Sequence, residues 1–274
     1  MSNITQFFSG GASGGGVNFG RIGKEVYVGP LSKTWTAPDT CTEVEFHVWG
    51  GGGGASAFDY GGGGGGGYVR HIYPISPGAT FSITVGGSGG TSSVSCTSQS
   101  PTSPISATGG NTSPLPSGAV IGGTGGNAAF TIAPGVPTSY TLKYKGGSGG
   151  SGGGPSGGGN GGGGSAGSPY GDGRNGIPGN PSSAGNGGAI ENIFGTGSTW
   201  YYMSEFRSGN VSLANTSPNQ AGAFNGGAGR AFGPTTTNFP GSPGGIGGGG
   251  AGGGGAGGGS SNLGGVGLVI LYHN

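Results

Sequence analysis

Two histidines and a glutamate are spaced so that they could share proton-transfer chemistry. Glu45 and His47 stand two residues apart in an alternating segment, and His71 stands in the next segment of the same kind. If these segments pair as neighbouring strands, a histidine base comes near a carboxylate, as general acid–base catalysis requires. No third orienting group accompanies them, so the competing interpretation is polar side chains on the solvent face of a strand. We expect no catalytic residue and no enzyme.

Other kinds of chemical site find less support. Matches to the G-x-G-x-x-G pattern are plentiful, but 80 glycines in 274 residues produce them by chance, and none opens a predicted helix. The eight carboxylates are too scattered to nominate a glycosidase pair. Cys41 and Cys96 lack metal-ligand spacing, and we interpret them as buried free thiols, with a Cys41–Cys96 bridge as the alternative. We expect no cofactor and no metal ion.

The charge and hydropathy patterns limit the kinds of partner that we expect the chain to bind. Nine cations are scattered along a chain of net charge +1, so the basic footprint of a nucleic-acid-binding protein is missing. No apolar run approaches the ~20 residues of a membrane span, and residues 1–10 lack the apolar core of a signal peptide. The expectation is a soluble protein without a visible export signal.

Glycine content decides between a flexible and an ordered chain. With 80 glycines and 18 prolines, the composition exceeds the roughly 25–30% that is typical of low-complexity chains. Only 6% of the residues are charged, however, whereas disordered chains are usually highly charged. Fixing a glycine costs about 0.5–1 kcal/mol more than fixing an alanine, and only backbone hydrogen bonds can offset that cost. We therefore expect extended glycine arms that bond laterally in a polyglycine II-like bundle.

Strand patterns position the arms. Residues 43–48 and 68–73 alternate polar and apolar side chains. They flank two glycine arms and the tip between them. We interpret the rest of the chain as variants of this unit of strand, arm, tip, arm and strand. Residues 79–85 alternate most regularly, with Phe81, Ile83 and Val85 toward a core. The last strand, 266–272, is apolar enough for burial on both faces. Further strands are expected at 25–28, 33–36, 91–96, 104–108 and 139–145.

The resulting fold prediction is all-β, with about eight short strands and almost no helix. It is a small β-sandwich with glycine-rich arms packed as a polyglycine II-like bundle. Residues 1–24 are interpreted as an N-terminal docking arm or a flexible segment, and residues 25–274 as one glycine-rich β-domain. Its strands lie mainly in 25–145 and 265–273, and its arms and variable tips in 50–67 and 110–262.

The tips have the composition of binding surfaces. Aromatic residues with glycine, serine, asparagine and an occasional arginine are typical of antibody paratopes, where rigid rings supply contact area. The alternative is that these aromatics fill the protein's own core. The candidate receptor-binding residues are Phe58, Asp59, Tyr60, Tyr170, Asp172, Arg174, Trp200, Tyr201, Tyr202, Phe206, Arg207, Phe224 and Phe232, and the candidate docking residues are Phe7, Phe8 and Phe19.

An ordered set of segments resembles a known pattern. Thr34-Trp35-Thr36-Ala37-Pro38 is followed by Val48-Trp49 running into glycines, and later by Pro77-Gly78-Ala79-Thr80-Phe81 running on to Gly86-Gly87. Ser106-Ala107-Thr108-Gly109-Gly110 and the closing Gly267-Leu268-Val269-Ile270-Leu271-Tyr272 complete the set. It resembles the glycine-rich domain of bacteriophage tail fibres and fibre-tip adhesins, and covers residues 33–110 and 260–272 well.

That resemblance implies a virion protein at the end of a tail fibre or tail, assembled in the host cytoplasm. It implies contact with other tail or fibre proteins and recognition of a host outer-membrane protein or surface polysaccharide, and it is compatible with a homotrimer. A structural adaptor joining fibre components without host contact is the alternative. An ice-binding or extracellular-matrix glycine protein is a further one, although Thr235-Thr236-Thr237 alone does not favour it.

Overall fold

The computed structural model describes residues 23–55, 61–98, 104–113, 121–130, 141–152, 160–179, 244–249 and 263–274, which contain ten strands and no helix. The chain is all-β, as its composition predicts. The strands are β1 (Gly23–Val28), β2 (Leu31–Thr36), β3 (Glu43–Trp49), β4 (Tyr68–Pro74), β5 (Thr80–Val85), β6 (Ser92–Cys96), β7 (Ile105–Ala107), β8 (Ala128–Phe130), β9 (Thr141–Tyr144) and β10 (Leu268–His273).

The strands form two antiparallel five-stranded sheets. The first sheet has the order β1-β10-β3-β4-β9 and the second has the order β2-β5-β6-β7-β8. The last strand of the chain therefore lies between β1 and β3, far from them in sequence. Its residues Leu268, Val269, Ile270 and Leu271 are all buried, as the near-continuous apolar run predicts.

Aromatic rings fill the space between the sheets. Phe46 of the first sheet lies 5.0 Å from Phe81 of the second, centroid to centroid, and meets Trp35 edge-on at 6.3 Å. The first pair is tilted and the second is edge-on, so neither adopts the disfavoured face-to-face sandwich. Phe81, Ile83 and Val85 all face this core, which confirms the alternation predicted for β5.

Glycine arms continue from the strands and bond to one another in a lattice. The central arm, residues 62–67, makes backbone hydrogen bonds of 2.7–3.0 Å to six neighbouring described segments. Gly62 and Gly65 donate to one neighbour, Gly64 and Gly67 to another, and the carbonyls of Gly63 and Gly66 accept from a third. Partners recur every three residues, the repeat of a polyglycine II-like helix. The remaining three neighbours bond through Gly50 and Gly53, through Gly123 and Gly126, and through Gly247.

The lattice has no room for side chains at its centre. A Cβ atom built on any residue of the central arm would lie 1.9–2.4 Å from a backbone carbonyl oxygen of a neighbouring arm. Glycine is thus required here because the arms approach too closely for a Cβ atom. The loss of side-chain packing is matched by hydrogen bonds that satisfy the buried backbone.

Several sequence expectations need correction. The polar side chains of residues 43–48 were expected on the solvent face of a strand, yet Glu45 is only 4% exposed, because the outer face of the first sheet is also covered. The three-residue strand β8 was not predicted, since Ala128-Ala129-Phe130 shows no alternation of polar and apolar residues. The two cysteines are free and buried, so the interpretation as free thiols is confirmed and the Cys41–Cys96 bridge is wrong.

Candidate functional site

The lattice has two ends, which we call the sandwich end and the far end. At the sandwich end Gly50 donates to Gly67, directly beside β3 and β4. At the far end Ser113 donates to the Gly54 carbonyl, and Gly179 donates to that of Ser151. Side chains also form hydrogen bonds at the far end: the Ser113 hydroxyl donates to the Ile121 carbonyl at 2.9 Å.

At the end of the lattice away from the strands, each described arm stops at the edge of a segment that connects it to another arm. The flanking residues pair across it in register, so that Gly62 meets Gly150, Gly162 meets Ile177, and Gly244 meets Leu263. The segments 56–60, 114–120, 153–159, 180–243 and 250–262 are therefore all connected to the lattice at or toward its far end. The described ends of these arms therefore lie together at one end of the lattice.

Most candidate receptor-binding residues lie outside the described residues. Phe58, Asp59 and Tyr60 belong to 56–60; Trp200, Tyr201, Tyr202, Phe206, Arg207, Phe224 and Phe232 belong to 180–243. The docking candidates Phe7, Phe8 and Phe19 precede the first described residue, Gly23. Gly23 pairs with His273 at the end of the sandwich that is remote from the lattice.

The three candidates that the structure describes, Tyr170, Asp172 and Arg174, do not lie at the far end. Tyr170 is in a tight turn closed by Ser168 and Gly171, which exchange backbone hydrogen bonds of 3.0 and 3.2 Å at the sandwich end. Tyr170 is 44% exposed. Asp172 and Arg174 are exposed on the edge arm that follows, and the Asp172 carboxylate accepts from the Lys145 backbone amide at 2.8 Å. The structure groups these three residues at the side of the lattice.

A hydrogen-bonded polar chain crosses the outer face of the first sheet. His47 Nε2 lies 2.8 Å from Glu45 Oε1, and His47 Nδ1 lies 2.8 Å from the Tyr68 hydroxyl. Arg70 on β4 donates through Nε to the same Glu45 oxygen. Burial raises the pKa of Tyr68 above its ordinary value, so the phenol keeps its proton and can donate to His47.

His71 takes no part in this chain, because it faces the opposite side of the sheet. Phe46 is its partner in the β3–β4 register, and His47 pairs with Arg70. His71 is buried in the sandwich, where Nδ1 lies 2.6 Å from the Thr141 hydroxyl, and burial lowers its pKa to about 4. The expectation that His71 and Glu45 are solvent-facing strand residues is wrong, and so is the idea that the two histidines share a site.

Arg70, Tyr144 and Tyr272 were not among the sequence candidates. All three lie on the outer face with His47, because Tyr272 pairs with Glu45 and Tyr144 with Tyr68. A signal was present: Trp49 and Tyr68 flank one glycine arm pair, so counting outward in twos places Glu45, His47 and Arg70 on one face. The contribution of β10, more than 200 residues later, had no such local signal.

Comparison with known families agrees with this architecture. A family model described as a glycine-rich domain matches residues 26–274, which include all strands from β2 onward and every described arm. The chain belongs to this glycine-rich domain family. No curated protein matches the chain.

The glycine-rich domain offers two surfaces for function. One is the far end, where the described arm ends lie together; the other is the outer face around Arg70.

Across the described ranges no three His, Cys, Asp or Glu side chains are grouped to hold a metal ion. No helix in those ranges could span a membrane.

Proposed function

We propose that this chain is a bacteriophage virion protein, a tail-fibre or tail-tip adhesin that binds a host cell-surface receptor through the far end of its lattice. Its partners are other tail or fibre proteins on one side and a host outer-membrane protein or surface polysaccharide on the other. Binding rather than catalysis is the proposed activity. The single observation that carries the proposal is the convergence of the arms at the far end, opposite the end where residue 23 enters.

The opposed ends support a division of labour. An adhesin needs one end that is mounted and one that is presented, and the far end is remote from Gly23 and Asn274. Asn274 is held at the mounted end, where its side-chain oxygen accepts from the Thr42 and Glu43 amides at 3.0 and 3.1 Å. Candidate docking residues Phe7, Phe8 and Phe19 precede Gly23 in sequence, and Gly23 lies on that side.

Rigidity of the lattice supports specific binding. A loop that is ordered in advance loses less conformational entropy on binding, which leaves more of the contact energy for affinity. The central arm is bonded on six sides, so the points from which the segments depart are fixed relative to one another. Segment 180–243 brings tryptophan, tyrosine and arginine, the residue types most enriched in binding hot spots.

A cell-binding experiment tests the proposal. The labelled full-length chain is screened against a panel of intact Gram-negative bacteria, and binding to the responding strain is compared with that of a variant whose residues 200–207 are replaced by glycine and serine. We expect this variant to lose most of its binding. A control variant carrying glycine and serine at Asp39 and Thr40, an exposed turn at the mounted end, should bind normally.

Two results would contradict the proposal. The structural adaptor would be favoured if the folded chain bound no strain in the panel and a virion reconstruction showed it enclosed by other proteins. Equal binding by the 200–207 variant and the control would remove that segment from the receptor surface. Sedimentation of the full-length chain measures whether it forms the homotrimer that the resemblance allows.

A further inference from the structure

Arg70 lies on the outer face of the first sheet with its guanidinium only partly used. Its Nε donates to Glu45, and this is its only polar partner among the described residues. Arginine carries five N–H donors in a planar fork, so within the described residues the four donors on the two terminal nitrogens are left for a ligand. The side chain is 25% exposed, so these donors are accessible from solvent.

The fork is held in place from below. Glu45 is 4% exposed and accepts from both Arg70 and His47, and His47 is in turn bonded to Tyr68. Because a carboxylate only accepts, His47 donates from Nε2 to Glu45, and its Nδ1 lies at hydrogen-bond distance from the Tyr68 hydroxyl. Each group thus orients the next, and the Arg70 fork loses little entropy when a ligand binds.

Aromatic rings lie on the same face of the first sheet as the fork. His47 lies directly opposite Arg70 on β3, and Tyr272 meets the His47 ring edge-on at 5.6 Å. On the other side Tyr144 of β9 stacks on Tyr68 at 6.4 Å, with the two rings within 9° of parallel. Tyr144 and Tyr272 are half-buried, so each presents part of its ring to solvent. Apolar ring surface beside a few oriented polar groups is the usual composition of a small-molecule site.

Charge decides the class of ligand. The Glu45 carboxylate offsets the Arg70 charge at hydrogen-bond distance, so a free anion would gain little net attraction and would meet the carboxylate's repulsion. Neutral hydroxyl oxygens accept from the terminal nitrogens without that penalty. Two neighbouring hydroxyls on a sugar ring match two donors of a planar fork, and the C–H face of the ring can lie against tyrosine.

We propose that the Arg70 site, defined as Arg70 with Glu45, His47, Tyr144 and Tyr272, binds a neutral saccharide unit through a pair of adjacent hydroxyls. As a second contact with a host polysaccharide, the site rests on the proposed function. As a saccharide site it stands independently, because it lies at the sandwich end, away from the segments that converge at the far end.

The test measures binding of defined sugars to the full-length chain by saturation-transfer NMR. The probes are maltotriose, mannotriose and galactotriose, with trigalacturonate as the anionic probe and inorganic phosphate as an anionic competitor of each sugar, up to about 10 mM because shallow sites often bind in the millimolar range. We expect at least one neutral trisaccharide to bind. Arg70→Lys keeps the charge beside Glu45 but loses the fork, and should weaken binding about tenfold.

Controls separate this site from general effects. Lys33→Gln removes one positive charge from an exposed position on the second sheet and should leave sugar binding unchanged. The variant with residues 200–207 replaced should also bind the sugar normally, so this result and the cell-binding result can fail separately. The proposal is overturned if no neutral probe binds, if only the anionic probe binds, or if Arg70→Lys binds as well as Lys33→Gln.

A second measurement covers the case in which Arg70→Lys does not fold. Phenylglyoxal modifies arginine side chains, and mass spectrometry locates the modified residues in the native chain. Saturating trisaccharide should slow the modification of Arg70 but not that of Arg174, which is exposed on the edge arm. Equal modification rates at Arg70 with and without the sugar would overturn the proposal.

Discussion

The sandwich and the glycine lattice satisfy the same backbone groups in different ways. In the sandwich each inner strand bonds to neighbours on two sides and alternates its side chains between two faces. In the lattice the central arm rotates one third of a turn per residue and bonds to neighbours on six sides. A strand therefore leaves two faces for side chains, whereas the central arm leaves none.

This difference changes what the sequence must specify. The sandwich needs side chains of the right size, because burial of rings such as Phe46 provides its stability. The lattice needs the absence of side chains, because its stability comes from hydrogen bonds between arms in close contact. A protein can thus present long, variable segments on a rigid frame, provided that the frame keeps its glycines.

The largest effect is expected from a methyl group at the centre of the lattice. In Gly65→Ala the new Cβ would lie 1.9 Å from the Ser165 carbonyl oxygen, which is backbone and cannot rotate away. The arms must separate, and the bonds of Gly65 to Gly147 and Gly126 are lost with them. We expect a loss of about 4–5 kcal/mol or more in the free energy of unfolding, measured by urea denaturation, with fast amide exchange across the arms.

A matched glycine outside the lattice centre is the control. At Gly87 the nearest atom to a new Cβ is in Pro30, at 3.8 Å, which is an ordinary van der Waals distance. Gly87→Ala should be neutral or should stabilise the fold by up to about 1 kcal/mol, through the unfolded state. If Gly65→Ala and Gly87→Ala behaved alike, the close contact between the arms would not be what stabilises the lattice.

Phe46→Ala tests the other region and should have the next largest effect. Its ring contacts Trp35, Tyr73 and Phe81, so truncation leaves a cavity between the sheets that costs about 3–4 kcal/mol. Amide exchange followed by mass spectrometry shows whether the lattice loosens with the sandwich. Exchange confined to the sheets would show that the two regions unfold separately; a uniform increase would show one cooperative unit.

Much of the sandwich could be predicted from sequence, because period-two patterns are local. Residues 43–48 and 79–85 correspond to β3 and β5 for this reason, and the near-continuous apolar run 266–272 corresponds to β10. The burial of Glu45 could not be predicted, since it depends on the covering of the outer face by distant segments. Trp49 on the same strand shows this, because its indole donates to the Gly167 carbonyl, 118 residues away, at 3.0 Å.

The lattice was predictable in kind but not in arrangement. Composition indicates laterally bonded arms, but glycine carries no side chain that could distinguish one neighbour from another. Which arm meets which is therefore decided by the strands that start and end the arms, such as Tyr68 after Gly67. The same lack of local information hides the Arg70 site, whose Tyr272 comes from the last strand.

The smallest of the expected effects concerns His71 and the sandwich alone. Burial lowers its pKa to about 4, whereas the unfolded chain has the ordinary value of 6.5, so below pH 6.5 the unfolded chain binds the extra proton more readily. The stabilisation from neutral His71 is complete above pH 6.5 and is lost as the pH falls toward 4. The total is about 3 kcal/mol. Urea denaturation at pH 7, 5.5 and 4 measures this loss in the free energy of unfolding. His71→Gln should remove it and leave only the weaker pH dependence that comes from the carboxylates. An unchanged pH dependence in His71→Gln would mean that the imidazole is protonated inside the fold, which the buried contact with Thr141 and Tyr73 argues against.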